Sequence, residues 1–218
     1  MQTFALVSQK GGSGKTTTSV NLAVVAHRDE RSVLVVDLDM QASAHDWHEA
    51  REDKTLLVLP THHAALGKVL REAESQGVDF VFIDTAAKTE TDTRVAVEGA
   101  DVPLIPCRPS AMDLRAIMNT VRLCRSYGKT PWVVLTQVEP QGTAAAETRA
   151  TLEELGVSVL KSTIGRRAAF MHSITDGRGV VEYEPNGKAA AEMRAVYQEI
   201  RLLAKKIASN HSMAEAVL

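Results

Sequence analysis

The sequence predicts a doubly wound α/β fold, with a mostly parallel sheet and helices on both faces. Three observations predict it. Short β-branched-rich runs alternate with longer helical patterns along the whole chain. Most of these runs are almost continuously apolar, as strands are when both faces of a sheet are covered. Aromatic residues make up only 4% of a chain that is 44% hydrophobic, so Val, Leu, Ile and Ala must build the core.

The strand candidates are 3–8 (TFALVS), 33–37 (VLVVD), 55–59, 79–84 (DFVFID), 101–106 and 131–136 (PWVVLT), with a weaker one at 157–160. Helical patterns fill the intervals at about 15–28, 42–51, 62–76, 91–99, 111–126 and 143–155, and a longer one covers roughly 186–208. The 218 residues fit a single domain over 1–208, and the tail 209–218 is expected to fray. In such folds ligands sit beyond the carboxyl ends of the strands, which is where the chemically informative residues fall.

Composition excludes several classes. With a formal net charge of −2 the chain is no polycation, so nucleic-acid binding would need a local patch. It opens directly into a strand-like run, without the charged and apolar regions of a signal peptide. No apolar stretch approaches the ~20 residues that span a bilayer. Cys107 and Cys124 lack the spacing of a disulfide framework or a zinc site. These readings point to the cytoplasm.

Residues 9–17 read QKGGSGKTT, between the first strand and the first helix. Gly11, Gly12 and Gly14 allow positive φ and bring backbone N–H groups close to an anion. The helix that follows aims its positive end at the same place. Lys15 can reach β- and γ-phosphates, the Thr16 hydroxyl suits Mg²⁺, and Thr17 could touch the α-phosphate. The strict pattern G-x-x-x-x-G-K-S/T asks for Gly at position 9, where this chain has Gln9. The bland alternative is a glycine-rich turn with an incidental lysine, and the strand–loop–helix context argues against it.

Asp84 ends an apolar strand, the position expected of a carboxylate that holds the hydration shell of Mg²⁺. Asp37 and Asp39 end another strand and point to opposite faces if the strand continues. Spacing alone does not choose between these two. The chemistry that fits is in-line attack of water on the γ-phosphorus, with Lys15 and Mg²⁺ neutralising charge.

KGGSGKT, with Lys10 ahead of the paired glycines, resembles the deviant phosphate loop of the ParA/MinD class of P-loop ATPases. The resemblance continues through DLDMQAS at 37–43, VFIDTAA at 81–87, IPCRPSAMDL at 105–114 and DGRGVVEYEPNGKAAAE at 176–192. It is strongest to small ParA (ParF-like) partition proteins without an N-terminal helix-turn-helix domain. It implies ATP/ADP and Mg²⁺ as ligands, held by Lys10, Gly11, Gly12, Ser13, Gly14, Lys15, Thr16 and Thr17. Asp39 would orient the attacking water and Asp37 would support the metal site with Thr16 and Asp84. Lys10 would cross to the partner's phosphates in an ATP-dependent sandwich homodimer, with polymers also formed by relatives; a solvated loop lysine is the plain alternative. The base would lie near Arg108, Pro109, Thr136 and Gln137, and no guanine-reading N-K-x-D occurs. Met40 and the run Ala86-Ala87-Lys88 depart from the family pattern, which puts the rigidity of both switch segments in doubt.

The same resemblance implies a DNA-segregation ATPase, cytoplasmic and associated with the nucleoid when ATP is bound. A centromere-binding ParB-like protein would stimulate weak hydrolysis. Lys161, Arg166, Arg167 and Arg178 offer a patch for non-specific DNA, with Arg166 matching a DNA-contacting arginine of relatives; an ordinary solvated surface is the alternative. Rival readings are a MinD-like positioning protein acting on membrane or protein cargo and a small-molecule ligase of the dethiobiotin-synthetase type. The last helix has one apolar face through Val196, Ile200, Leu203 and Ile207, but its end lacks the aromatic and basic residues of a membrane anchor, so no stable membrane association is expected. His45 and His48 stand three apart on a helix with no third ligand nearby apart from Asp46 and Glu49, and read as surface histidines; the two cysteines read as core residues.

Overall fold

The computed structural model describes residues 1–39, 43–87 and 90–215. Strands and helices alternate in the order β1 (Gln2–Leu6), α1 (Lys15–Arg28), β2 (Val33–Asp37), α2 (Ser43–Ala50), β3 (Leu57–Pro60), α3 (Leu66–Ser75), β4 (Phe80–Asp84) and α4 (Glu90–Gly99). There follow β5 (Val102–Cys107), α5 (Ala111–Ser126), β6 (Trp132–Val138), α6 (Ala144–Glu154), β7 (Ser158–Gly165), α7 (Ala168–Thr175), α8 (Val180–Tyr183) and α9 (Lys188–Glu215). A 3-10 turn, His63–Ala65, leads into α3. The seven strands form one sheet in the order β3-β2-β4-β1-β5-β6-β7, and every pairing is parallel. The expected doubly wound fold is therefore present.

Side chains alternate across this sheet. Phe4, Leu6, Val33 and Val35 face α1, α2 and α7–α9. Ala5, Leu34 and Val36 face α3–α6 in a second cluster. The few aromatics gather on the first face, where Phe4 stacks on Phe82 at 5.4 Å and Phe80 meets the edge of Tyr197 at 6.1 Å. Cys107 and Cys124 are buried free thiols on the second face, and burial pushes both up to about 12. The winding direction reverses around β1, so the segment after β1 opens into the crevice where such folds bind ligands.

Several boundaries differ from the sequence reading, each for a local reason. β1 ends at Leu6 as the chain turns into the glycine loop, although Val7 N–H still donates to Leu104 O at 2.9 Å. The expected strand at 157–160 runs on to Gly165. It is an edge strand, so polar Lys161 and Ser162 are tolerated, and the Glu199 carboxylate accepts both of their N–H groups at 2.7 and 2.9 Å. α7 and α8 had no expected counterpart, because each is too short to show a helical period. Their junction is set by Gly177, at φ 64, where an added Cβ would lie 2.4 Å from Arg51 N. No glycine or proline stands between 188 and 215, and α9 continues past 208 to Glu215. Met40 and Lys88, two departures from the family pattern, lie outside the described residues. Among the described residues no helix is long and apolar enough to cross a membrane.

Candidate functional site

The glycine loop enters α1 through Gly14 at φ 95, with Gly12 at φ 71 two residues earlier. Only glycine holds such angles without strain. No side chain caps the helix, and its first turn carries no acid. The N–H groups at this end thus lack a side-chain acceptor, and the helix dipole adds positive potential. That combination is an anion site. The loop is pinned from β6: the Thr136 hydroxyl donates to Ser13 O and the Gln137 amide to Gly12 O, both at 2.9 Å. Gln137 accepts a positive φ of 52 to do so. Thr136 and Gln137, expected beside the base, therefore have a second task in holding two loop carbonyls.

Lys15 is buried, and burial lowers its pKa against the opposing pull of Asp84 and Asp39. Asp84 is fully buried at the end of β4, and neither of its oxygens has a hydrogen-bond partner among the described residues. The Thr16 hydroxyl is near enough to favour the charged form without closing a bond. Burial nevertheless pushes Asp84 up to about 7, with Asp37 adding in the same direction. An orphaned carboxylate beside a lysine and a threonine at an anion site fits a hydrated Mg²⁺. Asp37, its register partner on β2, is occupied: Oδ1 accepts from Asp39 N–H at 2.9 Å, and Oδ2 from Ala44 and His45 N–H at 3.0 and 3.1 Å. It ties the segment entering α2 to the sheet. Burial raises its pKa too.

Two clefts of about 420 Å³ each adjoin the loop and share Gln137 and Arg166. One lies between Gly14, Thr17 and Thr136 on one side and Ile164, Phe170 and Ile174 on the other. The second contains Lys10, Arg108, Pro109, Met112 and Asp113. The four residues expected around the base thus divide between two neighbouring spaces. Lys10 forms an ion pair with Asp113, which also accepts from Arg108 and from the Ser110 hydroxyl. These three contacts hold the Asp113 carboxyl below its ordinary range although burial acts the other way.

A profile of the CobQ/CobB/MinD/ParA nucleotide-binding domain matches residues 4–180. The chain belongs to that family. A carboxysome-distribution protein A of Halothiobacillus neapolitanus is 32% identical over 190 residues, covering 83% of this chain and 87% of the relative. Its counterpart in Gloeobacter kilaueensis is 34% identical over 185 residues, covering 82% and 83%. The septum-site protein MinD of Pyrococcus horikoshii, solved with Mg-ADP, superposes with a TM-score of 0.76 at 18% identity over 94% of this chain and 98% of its own. This is a ParA/MinD-family ATPase fold, and the family binds nucleotide.

The remaining expected residues of this ParA/MinD-type chain are dispersed. Arg167 is committed to the Glu192 carboxylate of α9, which also accepts Gly165 N–H at 3.0 Å. Arg166 has a side chain 72% exposed and a single exposed partner, Glu139, at 3.0 Å. Arg178 pairs with Asp176 and lies over the Tyr183 ring. Asp113 and Phe170 were not assigned from sequence. Asp113 follows Ser110 in an S-x-x-D pattern and reads as the residue capped at a helix start, which it also is, since Ser110 is the N-cap and its Oγ accepts Asp113 N–H at 3.2 Å. Phe170 sits on α7, which gave no helical signal.

Proposed function

We propose that this chain is a DNA-segregation ATPase that works as an ATP-dependent sandwich homodimer. The observation that carries the reading is the phosphate site: an uncapped α1 with Lys15 beside the orphaned carboxylate of Asp84, and Lys10 on the rim of the adjoining cleft. Lys15 binds the β- and γ-phosphates, and the loop from Gly11 to Thr17 wraps them. Thr16 and Asp84 hold Mg²⁺, which when bound neutralises charge on the phosphate oxygens. Asp39 orients the attacking water, and Asp37 fixes the backbone from which Asp39 projects. The cleft walled by Phe170 receives the nucleoside. Lys10 leaves Asp113 to reach the partner's phosphates, so nucleotide and dimerisation are coupled.

The dimer binds DNA without sequence preference through Arg166, whose exposed pair with Glu139 is weak enough to exchange for phosphate. A centromere-binding partner stimulates slow, Mg²⁺-dependent hydrolysis, and the ATP form collects on the nucleoid. The test is ATPase rate with and without non-specific DNA and a candidate partner; enhancement by neither overturns the reading. Arg166→Ala is expected to weaken DNA binding in a low-salt shift assay and to spare ATP binding, whereas Arg167→Ala lowers stability by releasing Glu192. A second reading has support in the carboxysome-distribution relatives: the cargo is a protein assembly instead of DNA-bound centromere complexes. Stimulation by a cargo adaptor and not by a centromere-binding protein would select it.

A further inference from the structure

We propose that His45, His48 and Glu49 on α2 form a binding site for one divalent transition-metal ion of the zinc class, distinct from the magnesium position at Asp84. The residues stand at i, i+3 and i+4, which puts them on one side of a helix. Their ligand atoms all lie within 4.8 Å of one another. His45 Nδ1 and His48 Nε2 are buried and have no hydrogen-bond partner among the described residues. A buried imidazole nitrogen without a partner is costly, and a cation shared by the two rings would satisfy them at once.

The third donor supplies both charge and access. The His48 side chain is 14% exposed and that of Glu49 66% exposed; Glu49 Oε1 lies 3.8 Å from His48 Nδ1, the nitrogen of the ring opposite the unpartnered Nε2. An ion can therefore enter from the solvent side along the carboxylate. Two imidazoles and one carboxylate suit Zn²⁺, Ni²⁺ or Cu²⁺, whereas Mg²⁺ prefers oxygen ligands throughout. Three ligands leave a coordination position for water.

The helix that carries the donors is anchored at both ends. Asp37 accepts two N–H groups at its start, and the Lys54 ammonium donates to His48 O and Glu49 O at 2.5 and 3.0 Å at its finish. Between them the Trp47 indole N–H donates to Arg178 O at 3.2 Å. The rings are thus presented from a fixed backbone, so little order has to be gained on binding. Lys54 and Arg51 are the nearby opposing charges. Arg51 is neutralised by the Glu182 carboxylate at 2.7 Å and Asp53 at 3.2 Å.

The experiment titrates chelator-treated full-length protein with Zn²⁺ against a chromophoric competitor, in millimolar Mg²⁺ and without nucleotide. One equivalent is expected to bind, with His45→Ala and His48→Ala each weakening it by about tenfold or more. Glu49→Gln lies on the exposed side and keeps the fold; it should also weaken Zn²⁺ while its melting curve without metal stays unchanged. His62→Ala, at the tilted His62–His63 ring pair, should bind as the unmodified chain does. Bound Co²⁺ should show the visible absorption of a site with nitrogen ligands, and the band should be lost in His48→Ala. Absence of binding at about 100 µM Zn²⁺, affinity unchanged in all three α2 variants, or loss in His62→Ala would overturn the proposal.

Discussion

At the carboxyl edge of the sheet Asp37 and Asp84 stand opposite each other in register, on neighbouring strands, both almost wholly buried. Their surroundings differ. Asp37 accepts three backbone N–H groups and closes the segment that enters α2. Asp84 has none, and burial holds it near neutrality at about 7. The same residue type at equivalent strand ends therefore serves opposite ends: one carboxylate is spent on architecture and the other is left unsatisfied where Mg²⁺ would sit. An unsatisfied buried charge survives evolution poorly unless something binds it, which makes Asp84 the better marker of chemistry.

Of the two aspartates the larger effect on turnover is expected from Asp84→Asn, which should lower it by about a hundredfold or more, as loss of a charge-stabilising group does. The same variant should raise the melting temperature of the nucleotide-free protein at pH 8, since a buried charge is removed. A lower melting temperature would break the contrast with Asp37. Asp37→Ala should instead cost about 1–3 kcal/mol of stability through its orphaned N–H groups, seen as a melting point several degrees lower. The contrast can be sharpened by pH. The folded pKa of Asp84 lies above its ordinary 3.8, so between 3.8 and about 7 the folded chain binds more protons than the unfolded one. Stability from this group is then present at low pH and is lost as pH rises through about 7. Asp37 acts in the same direction. Melting temperature should accordingly be higher at pH 6 than at pH 8, and the difference should shrink in Asp84→Asn. The smallest effect on the monomer is expected at the second cleft: Lys10→Ala should leave nucleotide affinity nearly unchanged and reduce ATP-dependent dimerisation in light scattering. Lys15→Ala should by contrast abolish binding or turnover.

Much of the site was legible because the phosphate loop is a local device. QKGGSGKTT needs its glycines, its lysine and a following helix, and all are adjacent in sequence. Asp84 was legible for a related reason, as a carboxylate ending an apolar run in a chain with a phosphate loop, although Asp37 ends the same kind of run and is bonded to backbone. The pairing of Lys10 with Asp113 was not legible, because β5 lies beside β1 only after the sheet reverses direction. Phe170 was hidden in a short helix that faces the loop across a cleft and comes from a distant part of the chain. The arginines misled in a different way. A run of basic residues suggests a free patch, yet Arg167 is used to anchor β7 to α9.

By itself the sequence determined the alternation of strands and helices, the phosphate loop and the aspartates at the strand ends, because hydrophobic period and turn chemistry act over a few residues. Only the tertiary structure decided which aspartate is bonded and which is orphaned. That difference depends on where α2 begins and on which backbone N–H groups reach each carboxylate. It likewise decided that His45 and His48, read from sequence as surface histidines, each carry a buried nitrogen without a hydrogen-bond partner among the described residues, and that the two rings come close to Glu49. Burial and unmet hydrogen bonds arise from packing between distant segments, and no local pattern encodes them.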